Sequence, residues 1–220
     1  MKRPTSTINL IFITSIFILA CSSASLPSLA TATPQTIITV PPMPTEFLTQ
    51  PPTEITQSGT GLENENLLTE LPKGFKVDYQ AEQGNQTITE MVAEGESVED
   101  WTTMVTVQVF LGKTDTTPEQ AQDILTNDWF NACANSETYP VADGAENGYD
   151  FILWQLYCPL NPSTQKPELT FLKAIQGNDS LYLVQVAFRY EPSDEDITQW
   201  TQYLKQVQVC DSRIPEQACP

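Results

Sequence analysis

The chain has 220 residues and a formal net charge of −18, from 28 acidic residues against 10 basic ones, and it contains no histidine. The missing histidine excludes Ser-His-Asp and Cys-His catalytic sets, as well as histidine-containing zinc sites, within a single chain. The acidity argues against nucleic acid or an anionic membrane surface as a partner, because both are polyanions. A cationic partner, divalent cations or simple solubility would each account for the charge.

The first 21 residues have the pattern of an export signal. Met1–Arg3 is positively charged, and the apolar run Ile8–Ala20 that follows is too short to span a bilayer. The run ends in Ile-Leu-Ala-Cys and two serines, which resembles the lipobox of bacterial lipoproteins, where the cysteine is lipidated and becomes the new N-terminus. We therefore predict a signal peptide at residues 1–20 and a lipidated Cys21. The alternative is an ordinary secretory signal with an incidental cysteine.

Residues 21–60 are rich in proline, threonine and serine and carry almost no charge. Without sustained periodicity they are predicted to form a disordered, locally extended tether. Its Pro-Pro pairs could also serve as a docking motif for an aromatic groove, although a passive spacer is favoured. The remaining residues, 61–220, are long enough to fold as one globular domain with its own core.

The first half of this domain reads as three strands followed by a helix. Apolar residues alternate from Phe75 to Tyr79, and a second strand is predicted over Gln86–Val92 after a Gly-Asn turn. Met104–Leu111 places valines at every second position, which indicates a third strand. Thr117, followed by proline and by glutamine three residues later, is a helix start with a capping box.

The second half repeats this order. Phe151–Cys158 is nearly continuous in apolar residues, as expected of a strand covered on both faces. Two more strands follow, ELTFLKAIQG and Leu181–Tyr190, joined by a Gly-Asn-Asp-Ser turn. A helical pattern then extends from Ser193 to Val209, with apolar residues on one face at Ile197, Trp200, Leu204 and Val207. The fold class is therefore α+β: a single domain with an antiparallel sheet of about five to seven strands and two packed helices, similar to an α/β/α sandwich.

Four cysteines follow Cys21, and an even number in an exported chain favours disulfides. Three pairings are open. The favoured one joins Cys133 to Cys158, since both lie on faces that should point inward, and leaves Cys210 to pair with Cys219. A four-thiolate zinc site is the competing interpretation, but the sequence lacks the paired CxxC spacing of such sites.

The acidic segment Glu94, Glu96, Glu99 and Asp100 could bind calcium, because calcium prefers several carboxylates in a flexible loop. The segment lacks the alternating order of Asp or Asn residues and Gly that known calcium loops show, so a solvated loop is favoured. A pair of carboxylates suited to glycoside cleavage is defined by the distance between them in the folded protein. With 28 acidic residues in the chain, the presence of carboxylates in the sequence therefore does not identify such a pair. We therefore predict no catalytic, cofactor-binding or metal-binding residue.

Two stretches, Ile88–Phe110 and Leu172–Ser193, together with the C-terminal Cys-Pro, resemble a group of uncharacterised proteobacterial lipoproteins over essentially the whole domain. The order of strands and helices is also similar to that of PsbP-like α/β/α sandwiches. The lipoprotein resemblance implies an envelope location and disulfide bonds. It implies no particular activity and supplies no functional residues.

These observations predict a lipoprotein of the bacterial envelope, anchored to the membrane by its N-terminal lipid, with the outer membrane expected. The first functional hypothesis is a non-catalytic interaction or accessory module with an envelope protein as partner. The second is a periplasmic binder of a small ligand or cation. A hydrolase using two carboxylates is the third and least favoured.

Overall fold

The computed structural model describes residues 62–220. The predicted signal peptide, Cys21 and the tether lie outside the described residues. The elements of the described part are the strands and helices β1 (Glu65–Leu68), β2 (Phe75–Gln83), β3 (Gln86–Ala93), β4 (Thr103–Leu111), α1 (Pro118–Ala132), β5 (Glu137–Glu146), β6 (Tyr149–Cys158), β7 (Glu168–Gln176), β8 (Ser180–Phe188), α2 (Asp194–Gln206) and β9 (Gln208–Asp211), with a short 3₁₀ helix at Pro215–Gln217.

Seven of the strands form one antiparallel sheet in the order β2-β3-β4-β8-β7-β6-β5, and β1 pairs with β9 in a separate two-stranded sheet. Each neighbour in the large sheet runs antiparallel to the next. This is a single α+β domain with two helices, which confirms the predicted fold class. Among residues 62–220, neither helix combines the length and the apolar character that crossing a bilayer requires.

Each face of the large sheet is covered by a different helix. On the α2 face, alternate residues of the central strands pack against the buried Trp200 and Leu204 of α2; they include Phe171, Val184, Val186 and Phe188. On the α1 face, the intervening residues pack against Ala121 and Trp129 of α1; they include Trp154, Leu156, Leu172 and Ala174. The strands alternate their side chains between the two faces, so the central strands are apolar on both.

Both helices begin where the capping boxes predict. The Thr117 hydroxyl accepts a hydrogen bond from the Gln120 backbone N–H at 3.3 Å, and the Gln120 side chain accepts one from the Thr117 backbone at 2.9 Å. Ser193 and Asp196 make the same reciprocal pair at the start of α2. Each box satisfies donors that the first helical turn leaves without a partner.

Three strands were not predicted from the sequence. Strand β5 is an edge strand whose backbone pairs with β6; it carries Pro140 and is interrupted by a register shift between Pro140 and Ala142. Its residues are mostly exposed, so no apolar alternation marks it. The helical prediction that ran to Val209 was wrong at its end, because the backbone turns extended at Val207 and continues as β9, paired with the unpredicted β1.

A lysine is buried in the α2 face of the sheet. Lys173 on β7 is completely inaccessible, and its ammonium donates to the carbonyl oxygens of Leu204 at 3.1 Å and Val207 at 2.8 Å, and to the carboxylate of Glu146. It also lies 4.6 Å from the centre of the Phe151 ring. The ammonium therefore satisfies carbonyls at the negative end of α2 while pairing with the edge strand β5.

The small sheet is attached to the turn between β7 and β8. The Glu65 carboxylate accepts hydrogen bonds from the backbone N–H of Asp179 and the hydroxyl of Tyr182, each at 3.0 Å. Burial and the Glu65 charge raise the pKa of Tyr182. A Cβ at Gly177 would lie 2.8 Å from the backbone carbonyl oxygen of Ser180 and would also meet the Glu65 carboxylate, so the turn requires glycine there.

The two ends of the described chain meet beside this small sheet. The Asn64 backbone N–H donates to the Ser212 hydroxyl at 2.7 Å, and the Ser212 backbone N–H donates to the Asn64 carbonyl at 3.1 Å. A disulfide between Cys210 and Cys219 holds the C-terminal tail against β9. The tail and the first described residues consequently lie at the same end of the domain.

Candidate functional site

A row of three polar side chains crosses the α1 face of the sheet. Glu90 on β3 pairs with Thr106 on β4, and Thr106 pairs with Gln185 on β8. Paired residues of neighbouring strands point to the same face, with Cβ atoms about 5 Å apart. Helix α1 packs on β6 and β7, to one side of these residues. We refer to Glu90, Thr106 and Gln185 as the polar row; it is about 10 Å long, from two strand spacings.

None of the three side chains has a hydrogen-bond partner among residues 62–220. Thr106 is only 4% exposed, whereas Glu90 and Gln185 are half-buried. Burial raises the pKa of Glu90, and no neighbouring charge or hydrogen bond opposes that effect. None of their polar atoms is among the fully buried atoms that lack a partner, so the row presents solvent-accessible hydrogen-bonding groups at the surface of the sheet.

Apolar and amide side chains border the polar row. Ile88 and Met104 are partly exposed and lie one cross-strand row to either side of it, on the same face. The Gln86 amide donates to the Gln108 side-chain oxygen at 2.9 Å, which holds both glutamines in place. The surface thus offers a line of hydrogen-bonding groups between aliphatic borders.

A charged cluster lies on the same face, just past the end of β8 and at the start of β7. The Arg189 guanidinium lies 3.8 Å from the centre of the Trp101 ring, an arrangement typical of cation–π contact. The buried Glu168 carboxylate accepts a hydrogen bond from the Asn161 amide at 2.7 Å. Burial raises the pKa of Glu168, although Asn161 and the charge of Arg189 act in the opposite direction.

The two carboxyl groups with raised pKa values on this face are far apart. Glu90 lies on β3 and Glu168 on β7, and the sheet order places two strands between them. Three strand spacings correspond to about 14 Å. Glycoside cleavage by two carboxyl groups requires a separation of about 5–9.5 Å, so this pair does not match the hydrolase hypothesis.

The predicted cysteine pairs are both at disulfide distance. Cys133, the C-cap of α1, is joined to Cys158 on β6 with a Cα–Cα distance of 5.9 Å, and Cys210 is joined to Cys219 at 4.9 Å. The first bond fixes the end of α1 to the sheet that it covers. Cys21, the predicted lipidation site, lies outside the described residues.

The acidic segment forms the loop between β3 and β4. Its Glu96 carboxylate accepts hydrogen bonds from the backbone N–H of Thr102 at 3.0 Å and from the Thr102 hydroxyl at 2.6 Å. Glu94, Glu99 and Asp100 are exposed. In the part of the chain that the structure describes, no group of three acidic or cysteine side chains could hold a metal ion.

Sequence reasoning did not identify the polar row. The signal that could have indicated it is the alternation of β3, where Gln86, Ile88, Glu90 and Val92 share a face and two of the four are polar. Which residues of β4 and β8 stand beside Glu90 depends on the register between strands that are distant in sequence. The alternation of one strand cannot supply that register.

No protein-family model matches this chain, and no curated protein matches it. Among solved structures, the chain is similar to the Ran-binding protein Mog1p of Saccharomyces cerevisiae, with a TM-score of 0.38 and 11% identity over 64% of this chain and 85% of that one. It is also similar to cyanobacterial PsbP (CyanoP) from Synechocystis sp. PCC 6803, with a TM-score of 0.43 and 9% identity over 69% of this chain and 96% of that one.

Proposed function

We propose that this protein is a lipid-anchored, non-catalytic accessory module of the bacterial envelope that binds an envelope protein through the polar row. The observation that carries the proposal is the set of three adjacent side chains, Glu90, Thr106 and Gln185, that have no hydrogen-bond partner among residues 62–220. The anchor rests on the export signal and Cys21 in the sequence. The expected location is the outer membrane, on its periplasmic or surface face.

Binding suits the chemistry of the row better than catalysis does. A carboxylate, a hydroxyl and an amide are fixed on three adjacent strands of a packed sheet, and together they offer both donors and acceptors. Groups held on rigid strands keep their positions, which reduces the entropic cost of binding.

A second candidate is a small-ligand binder of the same envelope location. The size of the row favours this candidate. Two strand spacings make the row about 10 Å long, which is the length of a typical small molecule. Both candidates place the contact at the same residues, so one experiment separates them.

The test is a photo-crosslinking amino acid introduced at Ile88, which borders the row and leaves its three polar side chains intact, in cells that express the full chain. A matched control carries it at Thr198, an exposed residue of α2 on the opposite side of the sheet. One protein captured from position 88 and absent from position 198 would support the accessory module. Capture of the same proteins from both positions would contradict the assignment of the row, whereas no protein at position 88 would favour the small-ligand candidate.

A further inference from the structure

We infer that the polar row recognises a positively charged nitrogen group, an ammonium or a guanidinium, with Glu90 as its counter-ion and Thr106 and Gln185 as hydrogen-bond partners. The inference rests on the proposed binding role and names the chemistry that the same residues would select. The nitrogen group is that of a lysine or arginine side chain of the envelope protein that the row binds.

The first argument is the state of Glu90. Its carboxyl group is half-buried, and neither a cation nor a hydrogen-bond donor of residues 62–220 compensates the loss of water. A carboxylate in such a position forms its strongest hydrogen bonds with a positively charged donor. A chain with a net charge of −18 would in addition disfavour an anion at this surface.

The second argument is that nearby cations of the chain are already engaged. The Arg189 guanidinium on the same face lies against the Trp101 ring, and its charged neighbours are Glu168 and Asp100. Lys173 is buried on the opposite face with Glu146. Burial is the one influence on the pKa of Glu90, so within residues 62–220 its carboxylate has no counter-ion.

The third argument concerns the kind of cation. One carboxylate with one hydroxyl and one amide supplies far fewer oxygen ligands than the six to eight that calcium takes. An ammonium needs only about three acceptors, which is what Glu90, Thr106 and Gln185 offer. The aliphatic side chains of Ile88 and Met104 beside the row suit the methylene groups that carry such a nitrogen in lysine or an alkylamine.

The experiment follows the methyl resonances of Ile88 and Met104 in the full chain, purified in detergent, at physiological ionic strength. The probes are n-butylammonium, a short neutral-capped peptide with one lysine, and n-butanol as the uncharged analogue. We expect saturable shifts with a charged probe and none with butanol. In Glu90→Gln the dissociation constant should rise at least about tenfold, since a hydrogen bond to a charged group contributes about 1.5–3 kcal/mol.

The matched control is Glu82→Gln, which removes one exposed carboxylate from the same β2–β3 hairpin and should leave binding unchanged. Gln185→Ala is the second variant and should weaken binding while keeping the counter-ion. Binding of the peptide alone would point to a protein source for the nitrogen, and binding of butylammonium as well would point to a free amine. The inference is overturned if neither charged probe binds, or if Glu90→Gln and Glu82→Gln weaken binding equally. A partner crosslinked at position 88 would in that case leave the proposed function standing.

Discussion

At the scale of single residues, Lys173 and Glu168 show two different ways of burying a charge. The Lys173 ammonium is completely inaccessible, but it has three acceptors: Glu146 and two carbonyl oxygens of α2 and its C-cap. Burial nevertheless lowers the pKa of Lys173, so desolvation outweighs the pairing with Glu146. Through these hydrogen bonds, Lys173 connects β7 to β5 and to the C-terminal end of α2.

Replacing Lys173 by methionine should destabilise the protein by about 2 kcal/mol or more, because it leaves Glu146 and two helix carbonyls without their donor. Urea denaturation followed by circular dichroism measures the change. Lys166→Met, at an exposed position, is the control and should stay within about 0.5 kcal/mol of the wild type. Equal stabilities of the two variants would show that the buried ammonium is dispensable.

Glu168 predicts a pH dependence. Burial raises its pKa in the folded state above the ordinary value of 4.5, so the folded protein holds a proton that the unfolded chain has released. The free energy of unfolding therefore falls as the pH rises from about 4.5 through the folded pKa. Glu168→Gln, which mimics the protonated form and still accepts from Asn161, should be more stable than the wild type at pH 7.

The measurement is the melting temperature of Glu168→Gln and wild type at pH 4 and pH 7. The gap between the two proteins should be small at pH 4 and larger at pH 7. Glu94→Gln, at an exposed loop position, serves as the reference for removing one negative charge. A Glu168→Gln protein that melts below the wild type at pH 7 would mean that the charge of Arg189 outweighs burial.

At the scale of elements, the sequence predicts helices where a local signal marks their start. Thr117 and Ser193 each begin a helix with a reciprocal capping box, a feature contained in four consecutive residues. The central strands were recognised because burial on both faces makes them apolar throughout. For these helices and strands, the local sequence favours the same secondary structure that packing in the folded domain requires.

The elements that escaped prediction owe their structure to partners distant in sequence. The segment Val207-Gln208-Val209 lies where α2 ends and β9 begins. Its apolar residues fit the helical spacing of α2 as well as they fit the alternation of a strand. Pairing with β1, more than a hundred residues earlier, decides the outcome. Strand β5 is similarly defined by β6 alone, since Pro140 and its exposed residues give no strand signal.

The two disulfides should contribute unequally to stability. Cys133–Cys158 closes a segment with a sequence separation of 25 and Cys210–Cys219 one of 9. The loop-entropy relation gives about 3.5 and about 2.7 kcal/mol, respectively. Double serine variants of each pair, compared by urea denaturation, should follow that order; non-reducing peptide mapping checks the pairing, and four free thiols would contradict both bonds.

At the scale of the whole molecule, the fold class was predictable and the candidate site was not. The packing of the two helices on the sheet follows from the apolar face of each helix and strand. Each of these faces is visible in the sequence of the segment that forms it. The polar row requires that Glu90 and Gln185, 95 positions apart, flank Thr106 across three strands. Such a constellation exists only once the register of the sheet is set.

The predicted membrane anchor is a question for the whole chain. Cys21→Ala should move the protein from the membrane pellet to the soluble periplasmic fraction, because the lipid would be the attachment of an otherwise acidic protein to the membrane. Fractionation of cells with immunoblotting measures this. Cys219→Ser, which leaves the lipobox intact, is the control; membrane association that persists in Cys21→Ala would remove the lipoprotein interpretation.

The meeting of the chain ends at the small sheet has a practical consequence for protein engineering. Because Asn64 and Ser212 are hydrogen-bonded to each other, a short linker could join the C-terminal tail to residue 62. The new ends could then be opened in the tight β2–β3 turn at Gly84-Asn85. Such a circular permutant would keep every strand pairing of the seven-stranded sheet while moving the chain ends to a different hairpin.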